Sequence, residues 1–327
     1  MAHSIGILGT GAAVPETVLT NEQLAAMVDI DPEWIQARTG IRERRIADDR
    51  TATSDLATTA AQRAIAAAGI SAKEIGMVIC ATVTPDTMFP ATACLVQDRI
   101  GARNAGAFDL SAGCSGFVYG LSCAVSMLQT GICRYALVIG ADTLSKITDF
   151  TDRTTCVLFA DGAGAVVLGP TEQGRGFLSF ELGADGRGSP LIRQAAGGSR
   201  LPASYATVEA RQHFITMDGP EVFKFAVRIL GASAEAALAK AGLTTDDIDL
   251  LIPHQANIRI IEAAINRMNV PSKKVYVNLD RYGNTSSASI PIALDEVVRL
   301  GMLRERDVLV LVAFGAGLTW GATVVRW

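Results

Sequence analysis

The segment Ala64-Ile-Ala-Ala-Ala-Gly69-Ile-Ser-Ala-Lys-Glu-Ile75-Gly-Met-Val-Ile79 is echoed by Ala237-Leu-Ala-Lys-Ala-Gly242-Leu-Thr-Thr-Asp-Asp-Ile248-Asp-Leu-Leu-Ile252, and Gly69/Gly242, Ile75/Ile248 and Ile79/Ile252 are each 173 positions apart. Each copy reads as a helix stopped by glycine, a short loop and a buried strand. At the same offset the apolar run Tyr135–Gly140 falls on Val308–Ala313. A register kept over this distance restricts the chain to a duplicated α/β unit, with one half at 1–170 and the other at 171–327. Apolar, β-branched runs such as Val157–Leu168 and Val308–Val312 predict central strands covered on both faces. The stretch Gly183–Ala210, rich in Gly, Ser, Ala and Pro, predicts an excursion between the halves that serves as a binding rim.

Composition narrows the functional classes. With 327 residues, 49% of them hydrophobic and 19% charged, the chain has apolar content for a large core. Lys plus Arg is 29 against 33 for Asp plus Glu, a net charge of −4 that argues against nucleic acid or an anionic membrane as a partner of the whole chain. The six cysteines (Cys80, Cys94, Cys114, Cys123, Cys133 and Cys156) form no CxxC pair. They predict reduced thiols in a cytoplasm and no metal site. No apolar run approaches the roughly eighteen residues of a membrane helix. The N-terminal Ser4–Pro15, without a basic leader, reads as a first strand and a tight turn at Thr10 and Gly11. It is not a dinucleotide loop, because the third glycine of GxGxxG falls on Val14.

Three short segments carry the chemistry. In Asp109-Leu-Ser-Ala-Gly-Cys114-Ser-Gly116, the run Ala105–Leu110 predicts a buried strand and Phe117–Leu128 an apolar helix, so Cys114 falls at the helix N-terminus. Backbone N–H groups and the helix dipole favour a thiolate there, and flanking glycines admit close approach. Cys80, Cys123, Cys133 and Cys156 read as small buried residues. Of three histidines, His3 is near the terminus and His213 reads as a surface or strand residue. His254 in Pro253-His-Gln-Ala-Asn257 follows the strand Leu250–Pro253 and precedes the helix Ile258–Met268, at a strand's carboxyl end where α/β proteins place chemistry. Asn284, in Tyr282-Gly-Asn-Thr-Ser286 ahead of the helix Ile290–Leu300, reads either as a turn residue or as a neutral donor to an oxyanion. By the 173 offset Cys114 corresponds to Ser287, and in a pseudo-twofold arrangement the two turns face each other.

Together with Glu33-Trp34-Ile-Gln-Ala-Arg38-Thr-Gly-Ile-Arg42-Glu-Arg-Arg45 and Phe314-Gly-Ala-Gly317-Leu-Thr-Trp-Gly321, these segments make the chain resemble the β-ketoacyl-acyl carrier protein synthase III family along essentially its whole length. The resemblance implies the thiolase-like fold, two pseudo-twofold halves layered αβαβα. It implies Cys114 as nucleophile, with His254 and Asn284 as donors to an enolate. The Cys114 and Ala316 N–H groups would form an oxyanion hole, the latter provided that an alanine tolerates the backbone there, and Phe314 would line the site of decarboxylation.

For CoA it implies stacking of the adenine between Trp34 and Arg153, Arg38 near the phosphates, and Phe223 and Asn257 along the pantetheine, with Pro220 replacing a polar side chain of some members. Arg42, Arg44 and Arg45 fit a solvated face better. Arg259, Lys224 and Arg267 would meet an acidic carrier protein, and Phe89 would gate the acyl pocket of a partner subunit in a homodimer. The implied partners are acyl-CoA and malonyl-acyl carrier protein, and no resident cofactor is implied. The same motifs also suit a condensing enzyme for an unusual starter. A Cys-His acyl-CoA hydrolase and a non-catalytic subunit fit them less well.

Overall fold

The computed structural model describes residues 4–327, so His3 lies outside the described residues. The first half runs β1 (Ser4–Ala13), β2 (Val18–Thr20), α1 (Asn21–Val28), α2 (Pro32–Thr39), β3 (Glu43–Arg45), α3 (Thr53–Ala68) and β4 (Ile75–Ala81). It continues through α4 (Thr92–Arg99), β5 (Gly106–Leu110), α5 (Gly116–Gln129), β6 (Tyr135–Thr143) and β7 (Asp161–Thr171). The second half opens with β8 (Gly176–Ala184), β9 (Ile192–Gln194), α6 (Tyr205–Glu209), β10 (Ile215–Met217) and α7 (Gly219–Lys240). Then come β11 (Leu250–Pro253), α8 (Ile258–Arg267), α9 (Leu279–Tyr282), α10 (Ser289–Arg299), β12 (Val308–Gly315) and β13 (Thr319–Arg326).

Together with the two-stranded pairs β2-β3 and β9-β10, two large sheets result, ordered β1-β7-β6-β4-β5 and β8-β13-β12-β11. In both, the inner strands follow the same rule: β4 and β6 are parallel, as are β11 and β12, and a final antiparallel pair brings the chain back. The 173 offset carries over to the structure. The single turns Ala72–Glu74 and Gly113–Ser115 reappear at Thr245–Asp247 and Ser286–Ala288, and α5 and α10 begin 173 residues apart at Gly116 and Ser289.

The layers follow from which faces are apolar. Phe117, Leu121 and Val125 of α5 and Ile290, Leu294 and Val297 of α10 share one core with Ile79, Val138 and Val166 from the first sheet and Ile252, Leu309 and Leu311 from the second. These two helices are therefore buried between the sheets, and each such side chain contributes about 1.5–3 kcal/mol of burial. Outside, α3 lays Ala57, Ala60, Ala61 and Ala64 on Val78, Leu137 and Val167. On the other outer face α7 and α8 cover Val310 and Val324. The order is helix, sheet, helix, sheet, helix, the expected layered αβαβα arrangement.

Four local expectations are corrected. Thr10 and Gly11 do not turn: β1 runs on to Ala13, paired with β7 throughout. Glycine serves there as clearance, since a β-carbon on Gly11 would stand 2.4 Å from the Ala60 carbonyl oxygen of α3. The strand expected over Val157–Leu168 begins only at Asp161. The preceding residues turn because the Asp152 carboxylate accepts from Thr154 N–H and from the Thr155 hydroxyl at 2.9 and 2.8 Å. The Ala105–Leu110 strand, expected to be buried, is the half-buried sheet edge β5.

Arg44, expected on a solvated face, is fully buried. It donates to Asn21 Oδ1 at 2.9 Å and to the carbonyls of Val157 and Leu19 at 3.1 and 3.2 Å. Burial pulls its pKa down to about 10. Three oxygen acceptors, from Leu19 and Asn21 on one stretch and Val157 on another, replace part of the water it loses, while its Nε is buried without a partner.

Candidate active site

One cavity of about 700 Å³ leads inward from the surface, and Cys114, His254, Asn284, Phe314 and Ala316 all line it. They arrive from both halves because each sits where a core strand or a buried turn ends: β5 leads to Cys114, β11 to His254 and β12 to Ala316. The Cys114 and Asn284 turns pack on each other as the pseudo-twofold requires. A β-carbon on Gly116 would lie 3.8 Å from that of Ser287.

Cys114 sits in the single turn Gly113–Ser115 immediately before α5. Gly113 has φ +56°, and a β-carbon on it would stand 2.7 Å from the Ala316 backbone nitrogen. A β-carbon on Gly315 would stand 2.4 Å from the Cys114 nitrogen. Glycine at both positions thus lets the two backbone segments meet. The Ala316 N–H donates to no backbone carbonyl. Ala316 is not among the non-glycine residues with positive φ, and the left-handed value falls on Gly317 at +137°. The alanine therefore offers its N–H without strain.

The thiol itself departs from the sequence reading. Cys114 lines the cavity, whose walls here are largely apolar, and burial of the thiol raises its pKa to about 12, outweighing the favourable helix start. The resting group is a thiol. Ser287, the second-half counterpart of Cys114, has its hydroxyl 2.7 Å from both the Ala81 carbonyl and the Asp142 carboxylate. The other five cysteines are also free: Cys80 and Cys156 are buried, Cys123 and Cys133 half-buried, and Cys94 exposed.

His254 follows β11, with its N–H on the Val312 carbonyl at 2.8 Å. The ring meets Phe314 edge to face at 5.5 Å, and its Nδ1 is buried without a partner. With no carboxylate to hold a charge, burial drives the imidazole pKa down to about 3, so the ring is neutral. The linkage has a definite sign. An unfolded histidine titrates near 6.5, so between about 6.5 and 3 the unfolded chain takes up a proton that the folded chain refuses. Stability is whole above that window and falls by up to ~1.4 kcal/mol per pH unit as the pH drops through it. Denaturant titrations across this range should show a shallower acid loss for His254→Gln than for the parent protein. Equal slopes would contradict a buried neutral ring.

Asn284 is held on three sides. Its N–H donates to the Leu158 carbonyl and its carbonyl accepts from Ala160 N–H, both at 2.9 Å. The side-chain Oδ1 accepts from Ser286 N–H at 2.9 Å. The amide NH2 is left as the free donor, with the residue lining the cavity.

Trp34, Arg38, Arg153, Phe223, Asn257 and Arg259 all line the outer part of the same cavity. The Arg38 guanidinium lies over the Trp34 ring at 5.9 Å, as their spacing of one helical turn predicts, and Arg259 lies over Phe223 at 5.8 Å. Arg153 donates to the Asp29 carbonyl at 3.2 Å. Asn257 is already engaged, capping α8 through Arg259 N–H at 2.9 Å and donating to the Arg38 carbonyl at 3.1 Å. Its amide therefore holds α2 to α8, which keeps the mouth in shape. Lys224, Arg267 and Phe89 lie outside this cavity. Lys224 pairs with Glu221 at 2.6 Å, Arg267 is exposed in the last turn of α8, and Phe89 is 86% exposed on the β4–α4 loop. His213 bonds through Nε2 to the Thr207 hydroxyl at 2.9 Å, away from the site.

Sequence reasoning missed the inner chamber. Behind Cys114 a space of about 180 Å³ is walled by Val83, Leu144, Ile147, Phe159, Ile192 and Ile215, with Ser286 beside the thiol. Ile192 and Ile215 lie on β9 and β10, which pair only within the Gly183–Ala210 excursion and its sequel, and no motif marks them. Among the described residues no group of His, Cys, Asp and Glu is placed to hold a metal ion, and no helix is long and apolar enough to cross a membrane.

Known proteins resemble this chain in sequence and fold. Residues 108–186 match the family described as 3-oxoacyl-[acyl-carrier-protein (ACP)] synthase III, and residues 238–327 match its C-terminal part. A β-ketoacyl-[acyl-carrier-protein] synthase III of Caldanaerobacter subterraneus subsp. tengcongensis is 57% identical over 98% of this chain and 97% of its own. The crystal structure of the Thermus thermophilus synthase III is 49% identical, with a TM-score of 0.93 over 98% of this chain and 99% of that one. The priming β-ketosynthase of the R1128 polyketide pathway is 35% identical, with a TM-score of 0.92 over 99% of this chain and 96% of that one. Fold and sequence agree over nearly the full length, and the chain belongs to the 3-oxoacyl-acyl carrier protein synthase III family of thiolase-fold condensing enzymes.

Proposed function

We propose that the protein joins a primer acyl-CoA to malonyl-acyl carrier protein with loss of carbon dioxide, giving 3-ketoacyl-acyl carrier protein and CoA and so initiating fatty-acid synthesis. The observation that carries this reading is the meeting of Cys114, His254 and Asn284 in one largely apolar cavity whose mouth presents Trp34, Arg38 and Arg153. No resident cofactor is needed for it.

The steps follow from the groups in place. The Cys114 sulfur, on losing its proton, attacks the thioester carbonyl carbon of the primer. Charge forms on the carbonyl oxygen, which the Cys114 and Ala316 N–H groups are suited to receive. Collapse expels CoA as a thiolate that regains a proton, leaving the acyl group on Cys114 with its tail directed into the inner chamber. The malonyl thioester then enters beside His254 and Asn284. Its carboxylate leaves as carbon dioxide next to Phe314, where the apolar face disfavours the anion. The electron pair released from the breaking bond becomes an enolate whose oxygen accepts from the neutral imidazole and the Asn284 amide. Fixed donors in a water-poor site stabilise such charge more strongly than water does. Attack of the enolate carbon on the acyl carbon forms the new carbon–carbon bond, the acyl–sulfur bond breaks, and the Cys114 thiolate so released takes up a proton to restore the thiol.

At the mouth, Trp34 and Arg153 are suited to an adenine ring and Arg38 to phosphate, while Phe223 flanks the channel. Arg259, Lys224 and Arg267 would attract an acidic carrier protein by charge. The halves 1–170 and 171–327 act as one catalytic unit, since neither alone holds all three groups. The open edge of β5 and the exposed Phe89 on the nearby loop support a homodimer in which Phe89 closes the partner's chamber.

Mass mapping after incubation with acetyl-CoA, a longer straight-chain acyl-CoA or a branched one should find the acyl adduct on Cys114, with none on the exposed Cys94. CoA release with no adduct on Cys114 would count against the reading.

A further inference from the structure

The turn that carries Asn284 repeats the turn that carries Cys114, and the two copies differ at a revealing position. Gly113 in the first copy has φ +56°, and Ser286, 173 residues on, has φ +52°. Both are left-handed, a conformation natural to glycine and disfavoured for a residue with a β-carbon. Ser286 nonetheless keeps a side chain there. Its hydroxyl is buried close to both the Cys114 sulfur and the Asp142 carboxylate, yet no acceptor among the described residues stands in hydrogen-bonding geometry to it, and the residue is 2% exposed. A buried hydroxyl left unpaired is a second cost at the same position.

Glycine would relieve both. The bond from Ser286 N–H to Asn284 Oδ1 uses only the backbone, so it does not explain the serine. What remains is the location of the hydroxyl. Ser286, Cys114 and Ala316 together border the inner chamber. The nearby Ser286 hydroxyl draws the thiol pKa downward, against the burial that raises it. A neutral thiol is a weak acceptor, whereas a sulfur bearing negative charge is a strong one. Strain and an unpaired donor at one buried position, both absent from the glycine of the sister turn, are the signature of a functional constraint.

The geometry points to Ser286 as a positioning residue for Cys114: its hydroxyl donates a hydrogen bond to the Cys114 sulfur whenever that sulfur is anionic. This happens before attack on the primer thioester and again as the carbon–sulfur bond breaks in condensation. The proton stays on the serine oxygen throughout. The inference rests on Cys114 being the nucleophile proposed above.

The test compares Ser286→Ala, which removes the hydroxyl and keeps the backbone cost, with Ser286→Gly, which removes both. Iodoacetamide alkylation of the Cys114 peptide is followed by mass spectrometry over a series of pH values. Both variants should alkylate about tenfold more slowly at a given pH, the loss of one charge-assisted hydrogen bond, and acylation by acetyl-CoA should slow by a similar factor. Ser286→Gly should melt no lower than the parent protein. Removing atoms beside the thiol opens access and would by itself speed alkylation, so slowing reports the missing donor. A parent-like alkylation profile in Ser286→Gly overturns the inference and leaves the functional reading standing. Failure of the parent protein to form any acyl adduct on Cys114 overturns that reading and the inference with it.

Discussion

Cys114→Ala is expected to abolish CoA release from acyl-CoA and to lower condensation by at least about four orders of magnitude, while carbon dioxide is still released from malonyl-acyl carrier protein. The first part follows because covalent capture has no substitute: no other thiol lines the cavity, Ser287, the counterpart of Cys114 in the second half, is committed to Ala81 and Asp142, and loss of a nucleophile costs on this scale. The second part follows because decarboxylation is assigned to different atoms. His254, Asn284 and Phe314 come from β11, the Ser286–Ala288 turn region and β12, and a methyl group at 114 leaves their supports untouched. Measuring CoA and carbon dioxide separately checks both halves of the statement. Loss of both together would mean that the thiol also takes part in decarboxylation.

His254→Ala and Asn284→Ala should show the reverse pattern, with acyl-enzyme still forming and carbon dioxide release falling by about 10²–10³-fold each, the usual effect of removing one donor from an oxyanion site. Asn284→Asp should be worse than Asn284→Ala, because it places an anionic acceptor where the enolate charge develops. The neutral state of His254 is central to this pattern. With its pKa driven down to about 3, the ring is uncharged at working pH and serves as a donor rather than as a proton store. If His254 instead drew the proton from Cys114, His254→Ala would lose acyl-enzyme formation as severely as it loses decarboxylation. Single-turnover acylation of each variant, read by intact mass, separates the two.

The parts legible in the sequence are those set by local chemistry. Cys114, His254 and Asn284 each end a recognisable strand or sit in a small-residue turn, and the 173-residue echo carried the second sheet and its buried helix into register with the first. Other features depended on distant partners. Arg44 looks solvated within Arg42-Glu-Arg-Arg45, and only Asn21, Leu19 and Val157, brought together by folding, make its burial tolerable. Thr10 and Gly11 suggested a turn because glycine favours turns, yet the use of Gly9 and Gly11 is to let α3 approach β1. The helix start before α5 suggested a thiolate, while the burial that overrides it depends on folding, which sets apolar residues such as Ile192, Ile215 and Phe159 around the same space as Cys114. Ser286 could have been noticed by aligning the two repeats, which sets it opposite Gly113, but its left-handed φ and unpaired hydroxyl are visible only in three dimensions.

The most direct test is the product balance of the parent protein given acetyl-CoA and malonyl-acyl carrier protein. The account predicts one 3-ketoacyl-acyl carrier protein, one CoA and one carbon dioxide per turnover, with no product when Cys114 is alanine. CoA released as free acid accumulates, without condensed product from acetyl-CoA or from longer or branched primers, would contradict it and identify a thioester hydrolase.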